Sequence, residues 1–589
     1  MKTPNFSAIL FATVFFAKAL TAQNNTNPGL DNRQWLWGKT ADCPGSQATC
    51  LASDKNGNVF TAGYFHCTET YFGSYPLSDC MYNDDDVFFV KYNSSGKSQS
   101  ATWMHGWGSD RASAMAIDDN DNVFLTGNFD GPWLAYEQTQ SNNSGSSNFF
   151  VVKYSATGGG TVWRRQASGN TNVRSQAIAA DNNGNFYLAG YFWGASLQVP
   201  TTTLGMMTSM NTLVNSNSQS EDAFLAKYTA NGDLLWITSF GKSGNERINA
   251  ITCDASGNVL IGGSYESAVL KIGNDSLIKG NTGSDLFIAK YSASGTPQWV
   301  RGSGSATGSL KATAIACDKV SGNIFIGGQF TGQQVNWSTY SLNNRDLSGQ
   351  TSDIFYANYN ANGNLQWLKS NGSDDDDFCS SMDCKGHVFM AGNFKGTVLN
   401  LLSDTLTNAA SGHSDMFLAE FTQTGTMVSA LSKGGLYNDG INGVCVDNKG
   451  NVHIAGYYGA ATLTFGADTI TNYWADGGFY INRWNVFTAK AGVVSKEPVS
   501  TTAINSQNMD AAGYHLYPNP AKNILYIETP ISVSAAVRLY VRDILGRICY
   551  DKTISGNTSQ IDLENFSPGV YYLSFDTGAQ KITQKFVKE

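Results

Sequence analysis

The sequence predicts an all-β protein made largely of one short unit that recurs along the chain. Aromatic residues make up 12% of the 589 residues, 61 residues are glycine, and only 14% are charged. Aromatic side chains suit pleated sheets, while glycine and asparagine suit tight turns. A phrase of the form Asp-x-x-Gly-Asn-Val-x-x-x-Gly recurs seven times, which indicates a repeat architecture.

The copies of this phrase are evenly spaced. They begin at Asp54, Asp118, Asp181, Asp254, Asp318, Asp383 and Asp447, with spacings of 64, 63, 73, 64, 65 and 64 residues. In each copy we expect the aspartate to cap its own turn and the glycine to take positive φ. A second phrase, such as that of residues 285–291, and a third around a tryptophan complete four short strands per unit. Seven such units predict a seven-bladed β-propeller.

The two ends of the repeat region indicate how it closes. The seventh unit reaches its third strand at 478–484 and has no fourth strand, whereas residues 32–38 are similar to the fourth strand at 364–370. An N-terminal strand beside the last sheet would remove an exposed sheet edge. We therefore expect Trp35 to lie beside the run 479–484. An open solenoid and two packed subdomains remain as alternatives to a closed propeller.

Four segments follow from these patterns. Lys2, the apolar stretch 6–17 and the small residues near Ala22 predict a signal peptide over 1–22, too short to span a bilayer. The propeller is expected over 23–485, a polar linker over 486–513, and a small immunoglobulin-like β-sandwich over 514–589. No later apolar run is long enough for a membrane helix.

The charge distribution narrows the classes of partner. The formal net charge is −9, and no cluster of lysine and arginine suggests binding to nucleic acid. Acidic runs at 83–86 and 374–377 could hold Ca²⁺ through oxygen ligands, although solvated loops are favoured. No cofactor is otherwise indicated.

The cysteines suggest disulfides, because an exported chain meets oxidising conditions. Cys43 and Cys50 are close in sequence, and Cys67 and Cys80 flank a predicted hairpin, so both pairs are candidate bridges. The spacing does not fix the connectivity.

No residue pattern points to catalysis or to a metal. The sequence has no HExxH, GxSxG or Walker phrase, and its six histidines have no helical metal spacing. We assign no catalytic, cofactor-binding or metal-binding residue. The repeated aspartates are expected to be turn residues, and Trp236, Trp299 and Trp367, which share one strand position, are expected to pack in the core rather than on sugars.

The repeat phrases resemble the bacterial SBBP repeat family, which is predicted to form β-propellers, over about residues 35–484. The C-terminal segment resembles the type A sorting domain of the type IX secretion system of Bacteroidetes. The matching residues are Tyr517, Pro518, Asn519, Pro520, Asp543, Gly546, Arg547, Gly569, Tyr571 and Lys585. The resemblance implies contact with the secretion machinery, passage across the outer membrane, removal of this domain, and attachment to surface lipopolysaccharide or release.

Together these features predict a secreted or cell-surface binding protein. We expect a non-catalytic adhesion module for a glycan or a protein. The alternative is an extracellular hydrolase or lyase that acts on polysaccharide, with its site at one mouth of the propeller.

Overall fold

The computed structural model describes residues 33–78, 84–131, 133–136, 138–141, 147–155, 160–166, 172–200, 210–280, 283–303, 308–473, 484–493, 515–528, 537–543, 548–554, 558–576 and 581–589. The chain divides into two compact units, Met1–Val494 and Ser495–Glu589. These described residues form strands and turns without a helix, which confirms the all-β class. Accordingly, they contain no helix with the length and hydropathy to span a membrane. The predicted signal peptide lies outside them.

The strands of the first compact unit follow the repeats, which we number 1 to 7. Strand β1 (Arg33–Thr40) precedes them. Repeat 1 holds β2 (Gln47–Ser53), β3 (Val59–Phe65), β4 (Glu69–Phe72), β5 (Tyr75–Ser78), β6 (Asp86–Tyr92) and β7 (Ser98–Gly106). Repeat 2 holds β8 (Asp110–Ile117), β9 (Val123–Phe129), β10 (Trp133–Tyr136), β11 (Gln138–Ser141), β12 (Asn148–Tyr154) and β13 (Thr161–Gln166). Repeat 3 holds β14 (Asn172–Ala180), β15 (Phe186–Trp193), β16 (Ser196–Pro200), β17 (Met210–Val214), β18 (Glu221–Tyr228) and β19 (Leu234–Phe240).

Among the described residues, repeats 4 to 6 again hold six strands each, and repeat 7 holds five. Repeat 4 holds β20 (Glu246–Cys253), β21 (Val259–Tyr265), β22 (Val269–Ile272), β23 (Asp275–Ile278), β24 (Asp285–Tyr291) and β25 (Pro297–Ser303). Repeat 5 holds β26 (Leu310–Cys317), β27 (Ile324–Phe330), β28 (Gln334–Trp337), β29 (Tyr340–Asn343), β30 (Asp353–Tyr359) and β31 (Leu365–Asn371). Repeat 6 holds β32 (Asp377–Lys385), β33 (His387–Phe394), β34 (Val398–Leu401), β35 (Asp404–Thr407), β36 (Asp415–Phe421) and β37 (Met427–Lys433). Repeat 7 holds β38 (Asp439–Val446), β39 (Val452–Tyr458), β40 (Thr462–Phe465), β41 (Asp468–Thr471) and β42 (Asn485–Val493).

Four antiparallel strands form the main sheet of each repeat. In repeat 4 the order is β20-β21-β24-β25, and we call these its first to fourth strands, while β22 and β23 form a separate hairpin. The other repeats follow the same plan, except that the hairpin β10-β11 joins the sheet of repeat 1 through β7. The second and third strands are continuously buried because their sheets are covered on both faces, as the patterns of β21 and β24 illustrate.

Tryptophans of the fourth strands connect neighbouring repeats. The indole N–H of Trp236 in repeat 3 donates to the carbonyl of Ala293 in repeat 4 at 3.1 Å. Its ring covers Gly295, which has a φ of 87°, so a Cβ there would lie 2.8 Å from the ring. The equivalent Trp299 covers Gly363 of repeat 5 in the same way. These tryptophans therefore pack between repeats, in agreement with the predicted core role.

The same contact joins the last repeat to the first. Strand β1 pairs antiparallel with β42 and supplies the fourth strand of the repeat 7 sheet, in the order β1-β42-β39-β38. Trp37 of β1 donates to the carbonyl of Ser94 in repeat 1 at 3.3 Å and covers Gly96. The first strands of consecutive repeats are in contact, and β38 also contacts β2.

Two expectations about the sheet of repeat 7 are wrong in detail. Trp35 pairs with Ala491 rather than with the run 479–484, of which only Trp484 lies among the described residues. A bulge between Trp35 and Trp37 places Trp37 opposite Lys490, the position that Trp367 holds opposite Asn358. The third strand of repeat 7 is β42, so the repeat region extends past 485 into the expected linker, of which residues 494–513 lie outside the described part of the chain.

Repeat 6 departs from the aspartate turn. Cys384 pairs with Val388 as Cys253 pairs with Val259 in repeat 4, so only three residues separate the partners in repeat 6 instead of five. Asp383 is consequently part of β32 and does not cap the turn, contrary to the prediction from the repeated phrase. The side chain of Asp383 instead accepts a hydrogen bond from the amide of Val446 at 2.8 Å.

The C-terminal compact unit contains two sheets. Its strands are β43 (His515–Tyr517), β44 (Ile524–Glu528), β45 (Val537–Asp543), β46 (Ile548–Ile554), β47 (Thr558–Asp562), β48 (Gly569–Asp576) and β49 (Lys581–Lys588). One sheet has the order β43-β44-β47 and the other β46-β45-β48-β49. Both contribute to one core cluster that includes Leu525, Ile561, Leu539 and Leu573. This is a small two-sheet β-domain.

Candidate functional site

A cavity of about 690 Å³ is lined by the first strands of all seven repeats. Each of these strands has a register irregularity that leaves one residue without a cross-strand partner, which is the mark of a β-bulge. The seven residues are all polar and half-buried: Thr49, Ser113, Gln176, Asn249, Thr313, Ser380 and Asn442. They form a belt of hydroxyl and amide groups on the wall of the cavity, which we call the polar belt.

The polar belt connects one repeat to the next. Thr49 Oγ1 donates to the carbonyl of Ala112 at 2.8 Å, and Asn249 Nδ2 donates to Ala312 at 2.9 Å. Asn442 Nδ2 of repeat 7 donates to the carbonyl of Ala48 in repeat 1 at 2.8 Å. The repeated phrases did not predict the polar belt. Its signal is a hydroxyl or amide residue five positions before the turn aspartate in six of the seven repeats.

The remaining lining combines aliphatic side chains and thiols with hydroxyl and charged groups, and none of the described residues that line the cavity is aromatic. Among the wall thiols are Cys253, Cys317 and Cys384, which occupy equivalent strand ends in three consecutive repeats. Burial raises the pKa of the Cys317 thiol to about 12, so it stays protonated at neutral pH. A protonated buried thiol is a poor nucleophile and a poor metal ligand.

Two carboxylates on the cavity wall, Asp318 and Asp383, accept hydrogen bonds from backbone amides. Both carboxylate oxygens of Asp318 accept hydrogen bonds, Oδ1 from the amide of Ser321 at 2.7 Å and Oδ2 from that of Gly386 at 3.4 Å. Burial opposes ionisation there, but these hydrogen bonds outweigh it and lower the pKa of Asp318. The pKa of Asp383 is instead raised, chiefly by burial. These two aspartates therefore act as structural acceptors.

The mouth of the cavity near the turns carries mixed charge. Lys55, Asp119, Lys319 and Lys385 belong to its lining. Lys319 Nζ donates to Asn182 Oδ1 at 3.1 Å, and the amide of Lys55 donates to Asp121 Oδ1 at 3.1 Å. These bonds hold the turns of different repeats together.

The repeated aspartates cap turns in every repeat except repeat 6, as predicted for those six. In repeat 4, Asp254 Oδ1 accepts from the amides of Ser256 and Asn258, each at 2.9 Å. Its Oδ2 accepts from the Asn258 side chain at 2.9 Å and forms an ion pair with Lys290 at 2.8 Å. Asp181 and Lys227 form the same pair in repeat 3 at 3.0 Å.

The acidic runs weighed as Ca²⁺ sites already have protein partners. Asp85 pairs with His66 at 3.0 Å and with Arg111, while Asp84 Oδ2 accepts from the amide of Gly108 at 2.7 Å. In the second run, Asp375 pairs with Lys395 at 3.1 Å and Asp377 accepts from Ser373. Within the described residues, no group of three or more His, Cys, Asp or Glu side chains could hold a metal ion.

One disulfide occurs among the described cysteines, and it is not a predicted pair. Cys43 is bonded to Cys67 with a Cα–Cα distance of 5.9 Å, while Cys50 is a buried free thiol and Cys80 lies outside the described residues. The pairs Cys43–Cys50 and Cys67–Cys80 are therefore corrected. The reason is that Cys50 belongs to β2, whereas Cys43 and Cys67 both lie in connections that the fold brings together.

Several sorting-motif residues meet at one end of the C-terminal domain. Asn519 Oδ1 accepts from the amide of Val587 at 3.0 Å, and its Nδ2 donates to the carbonyl of Lys585 at 3.3 Å. The Tyr517 ring stacks on Tyr526 with centroids 5.7 Å apart. The first motif segment, which also contains Pro518 and Pro520, is thereby attached to β49.

Other motif residues lie along β45 and β48. Asp543 is opposite Tyr571, and the Tyr571 hydroxyl donates to the carbonyl of Ser567 at 2.8 Å. Gly569, the first residue of β48, is opposite Lys588. Gly546 and Arg547 lie outside the described residues, so the structure does not place the middle turn.

Residues 515–589 match the family described as the secretion system C-terminal sorting domain. This domain directs the chain through the type IX secretion system to the cell surface of a Gram-negative bacterium of the Bacteroidetes type.

The rest of the chain has distant similarities. The uncharacterized WD repeat-containing protein L264 of Acanthamoeba polyphaga mimivirus is 22% identical over 521 residues, which cover 77% of this chain and 33% of that protein. The chain therefore spans about a third of that relative's length.

Solved structures are similar only at low scores. PorZ of Porphyromonas gingivalis, described as a surface component of the type IX secretion system, has a TM-score of 0.22 and 10% identity, covering 94% of this chain and all of that one. Sqt1 from Chaetomium thermophilum has a TM-score of 0.35 and 8% identity, with 72% and 97% covered. The acylaminoacyl peptidase of Pyrococcus horikoshii has a TM-score of 0.36 and 8% identity, with 83% and 59% covered.

Proposed function

We propose that residues 33–493 form a closed seven-bladed β-propeller of the SBBP type that acts as a non-catalytic binding and adhesion module on the cell surface. The cyclic contact of the first strands and the pairing of β1 with β42 support closure. The bond from Asn442 to Ala48 extends the polar belt from repeat 7 to repeat 1 and supports it independently. In this proposal the C-terminal domain directs secretion, and the propeller provides the binding surface.

The proposal that the propeller is non-catalytic depends on the similarity of the seven bulge residues in the cavity wall. An active site in a repeat protein breaks the repeat, because catalysis needs two or three side chains that differ from their equivalents. Here all seven bulge positions hold an uncharged polar side chain, either a hydroxyl or an amide. The wall carboxylates of Asp318 and Asp383 bond to backbone amides, so neither is arranged as an acid or base toward a polysaccharide.

The ligand of this module is proposed to be a surface glycan or a protein. Removal of the C-terminal domain and attachment to lipopolysaccharide would leave the propeller displayed outside the cell. The exposed insert hairpins, such as β22-β23 and β28-β29, supply additional surface for contact.

The test uses the mature protein recovered from the surface or medium of cells that secrete it. The chain is applied to a glycan array and, in parallel, incubated with a panel of polysaccharides whose reducing ends are measured over time. Binding to a defined glycan class without release of reducing ends or unsaturated products is the expected result. Turnover of any polysaccharide would establish the hydrolase or lyase alternative and overturn the proposal.

A further inference from the structure

Repeat 6 differs from its neighbours at three positions that face one another. Five residues after the aspartate or asparagine that opens the third-strand phrase, repeats 1, 2, 3, 4 and 7 have lysine, repeat 5 has asparagine, and repeat 6 has Glu420. The residue opposite it on the fourth strand is Ser429, where repeats 2 to 5 and repeat 7 have tryptophan and repeat 1 has Ser100. The aspartate that normally pairs with the lysine is absent, because the turn of repeat 6 is shorter.

The lysine and the tryptophan make one kind of contact in repeats 2 and 3, and repeat 6 has no partner for it. In the regular repeats both side chains reach the turn between the third and fourth strands of the next repeat. Lys227 Nζ and Trp236 Nε1, for example, both donate to the carbonyl of Ala293, at 3.3 and 3.1 Å. Repeat 7 has no such turn, since its fourth strand is β1 from the other end of the chain.

Arg33, the first residue of β1, fills this space. Its guanidinium forms a bidentate pair with Glu420, with Nε–Oε2 at 2.7 Å and Nη2–Oε1 at 3.1 Å. Nη1 donates to the carbonyl of Gly450 in repeat 7 at 2.8 Å, and the group lies 4.8 Å from the ring centre of Phe389. Three elements of two repeats therefore meet at one side chain.

The pair is nearly dry. The side chains of Arg33 and Glu420 are only 5% and 4% exposed. Glu420 also accepts from Ser429 Oγ at 3.1 Å, and His387 Nδ1 lies 2.7 Å from Oε1. A buried charge that loses its partner destabilises the fold, so the Glu420 carboxylate needs a cation beside it. Arg33 of β1 supplies that cation.

We propose that the Arg33–Glu420 pair is the latch that holds β1 in register and closes the ring, with Glu420, Ser429, Phe389 and Gly450 as its receiving surface. The occupant of this surface is the β1 strand of the same chain. The inference rests on the closed propeller proposed above, but its test measures the local opening of β1 and does not depend on the ligand.

Hydrogen exchange of the full chain, followed by mass spectrometry, tests the latch. In Arg33→Met and Glu420→Gln we expect amide exchange over residues 33–40 to accelerate at least tenfold, with exchange over 365–371, the equivalent fourth strand of repeat 5, unchanged. Arg247→Met is the matched control, because it removes an arginine from a bidentate pair with Glu221 that is more exposed and lies away from β1. It should leave residues 33–40 at the wild-type rate.

A conservative variant keeps the test decisive if the others do not fold. Arg33→Lys retains the charge but cannot make the bidentate pair or reach Gly450 at the same time. We expect exchange over residues 33–40 to be several-fold faster in this variant. Wild-type exchange of β1 in Arg33→Lys, or an equal acceleration in β1 and in residues 365–371 in any of these variants, would overturn the proposal.

Discussion

Repeats 4 and 6 share one backbone plan but use opposite charges. In repeat 4, Asp254 of the turn pairs with Lys290 on the third strand, and Trp299 on the fourth strand packs over Gly363 of repeat 5. In repeat 6 the turn is shorter, and Glu420 and Ser429 take these two strand positions, with the cation supplied by β1. The comparison teaches that the sheet pairing tolerates a complete change of its polar side chains, provided that every buried charge keeps a partner.

The largest expected effect comes from giving repeat 6 the lysine of the other repeats. Glu420→Lys would place a second buried cation beside Arg33, and we expect it to lower the free energy of unfolding by about 3–5 kcal/mol. Urea unfolding followed by tryptophan fluorescence measures the change. Lys290→Glu, which sets a carboxylate against Asp254, is the counterpart in repeat 4 and should cost a similar amount. An unfolding free energy equal to that of the wild type in Glu420→Lys would contradict the claim that repeat 6 needs an anion at this position.

The Cys43–Cys67 disulfide joins the connection between β1 and β2 to that between β3 and β4, and it has no equivalent in repeat 4. Cys43 and Cys67 are separated by 24 residues, and a bridge of this span contributes about 3 kcal/mol through the entropy of the unfolded chain. We expect the double variant Cys43→Ser, Cys67→Ser to lose about this amount, measured by thermal unfolding. Treatment with a reductant should reproduce the loss in the wild type and have no further effect on the variant.

The contact of repeats 6 and 7 should also respond to pH. Asp439 begins β38, and burial, followed by the charge of Asp415, raises its pKa to about 8. The folded state therefore keeps a proton that the unfolded state loses above about pH 4, so stability should fall by about 2 kcal/mol or more as the pH rises from about 4 to about 8.

A neutral variant isolates this contribution. At the contact of repeats 4 and 5, the residue equivalent to Asp439 is Leu310, whose side chain does not titrate. Asp439→Asn should reduce the slope of unfolding free energy against pH over this range, measured by urea unfolding at several pH values. An unchanged slope would assign the pH dependence to other groups, such as Asp377, whose pKa burial also raises to about 8.

The smallest effect is expected at an exposed pair. Arg247, whose side chain is 43% exposed, pairs with Glu221 of repeat 3. Solvent screens such pairs, so Arg247→Ala should cost at most about 1 kcal/mol. A loss as large as that expected for Glu420→Lys would remove the distinction between buried and exposed pairs on which the comparison depends.

The repeating part of the fold was predictable because each unit repeats its turn chemistry. The Asp-x-x-Gly-Asn phrase fixed the turns, and the capping bonds of Asp254 explain why this sequence is needed. The start of β42 was missed because Asn485 replaces the aspartate and Ala491 the tyrosine of the third-strand phrase. Phe487 and Lys490 still match it and could have revealed the strand.

Features that depend on bulges and on distant contacts were not predictable in the same way. Strands β1 and β31 share the same single-residue bulge, so Trp35 corresponds to Leu365 and Trp37, rather than Trp35, takes the place of Trp367. The Cys43–Cys67 bridge depends on where two connections meet in space. The polar belt leaves a sequence signal, but its hydrogen bonds between repeats appear only when the strands are placed side by side.

The pairing of β1 with β42 has a consequence for the order of folding. Arg33 and Glu420 are 387 residues apart in the sequence, so their contact closes a very long loop. Contacts of this separation form late and slowly, whereas each repeat can assemble from neighbouring segments. The edge of β42 must then stay unpaired until the first strand arrives, and the unfinished molecule is most open to aggregation during this interval.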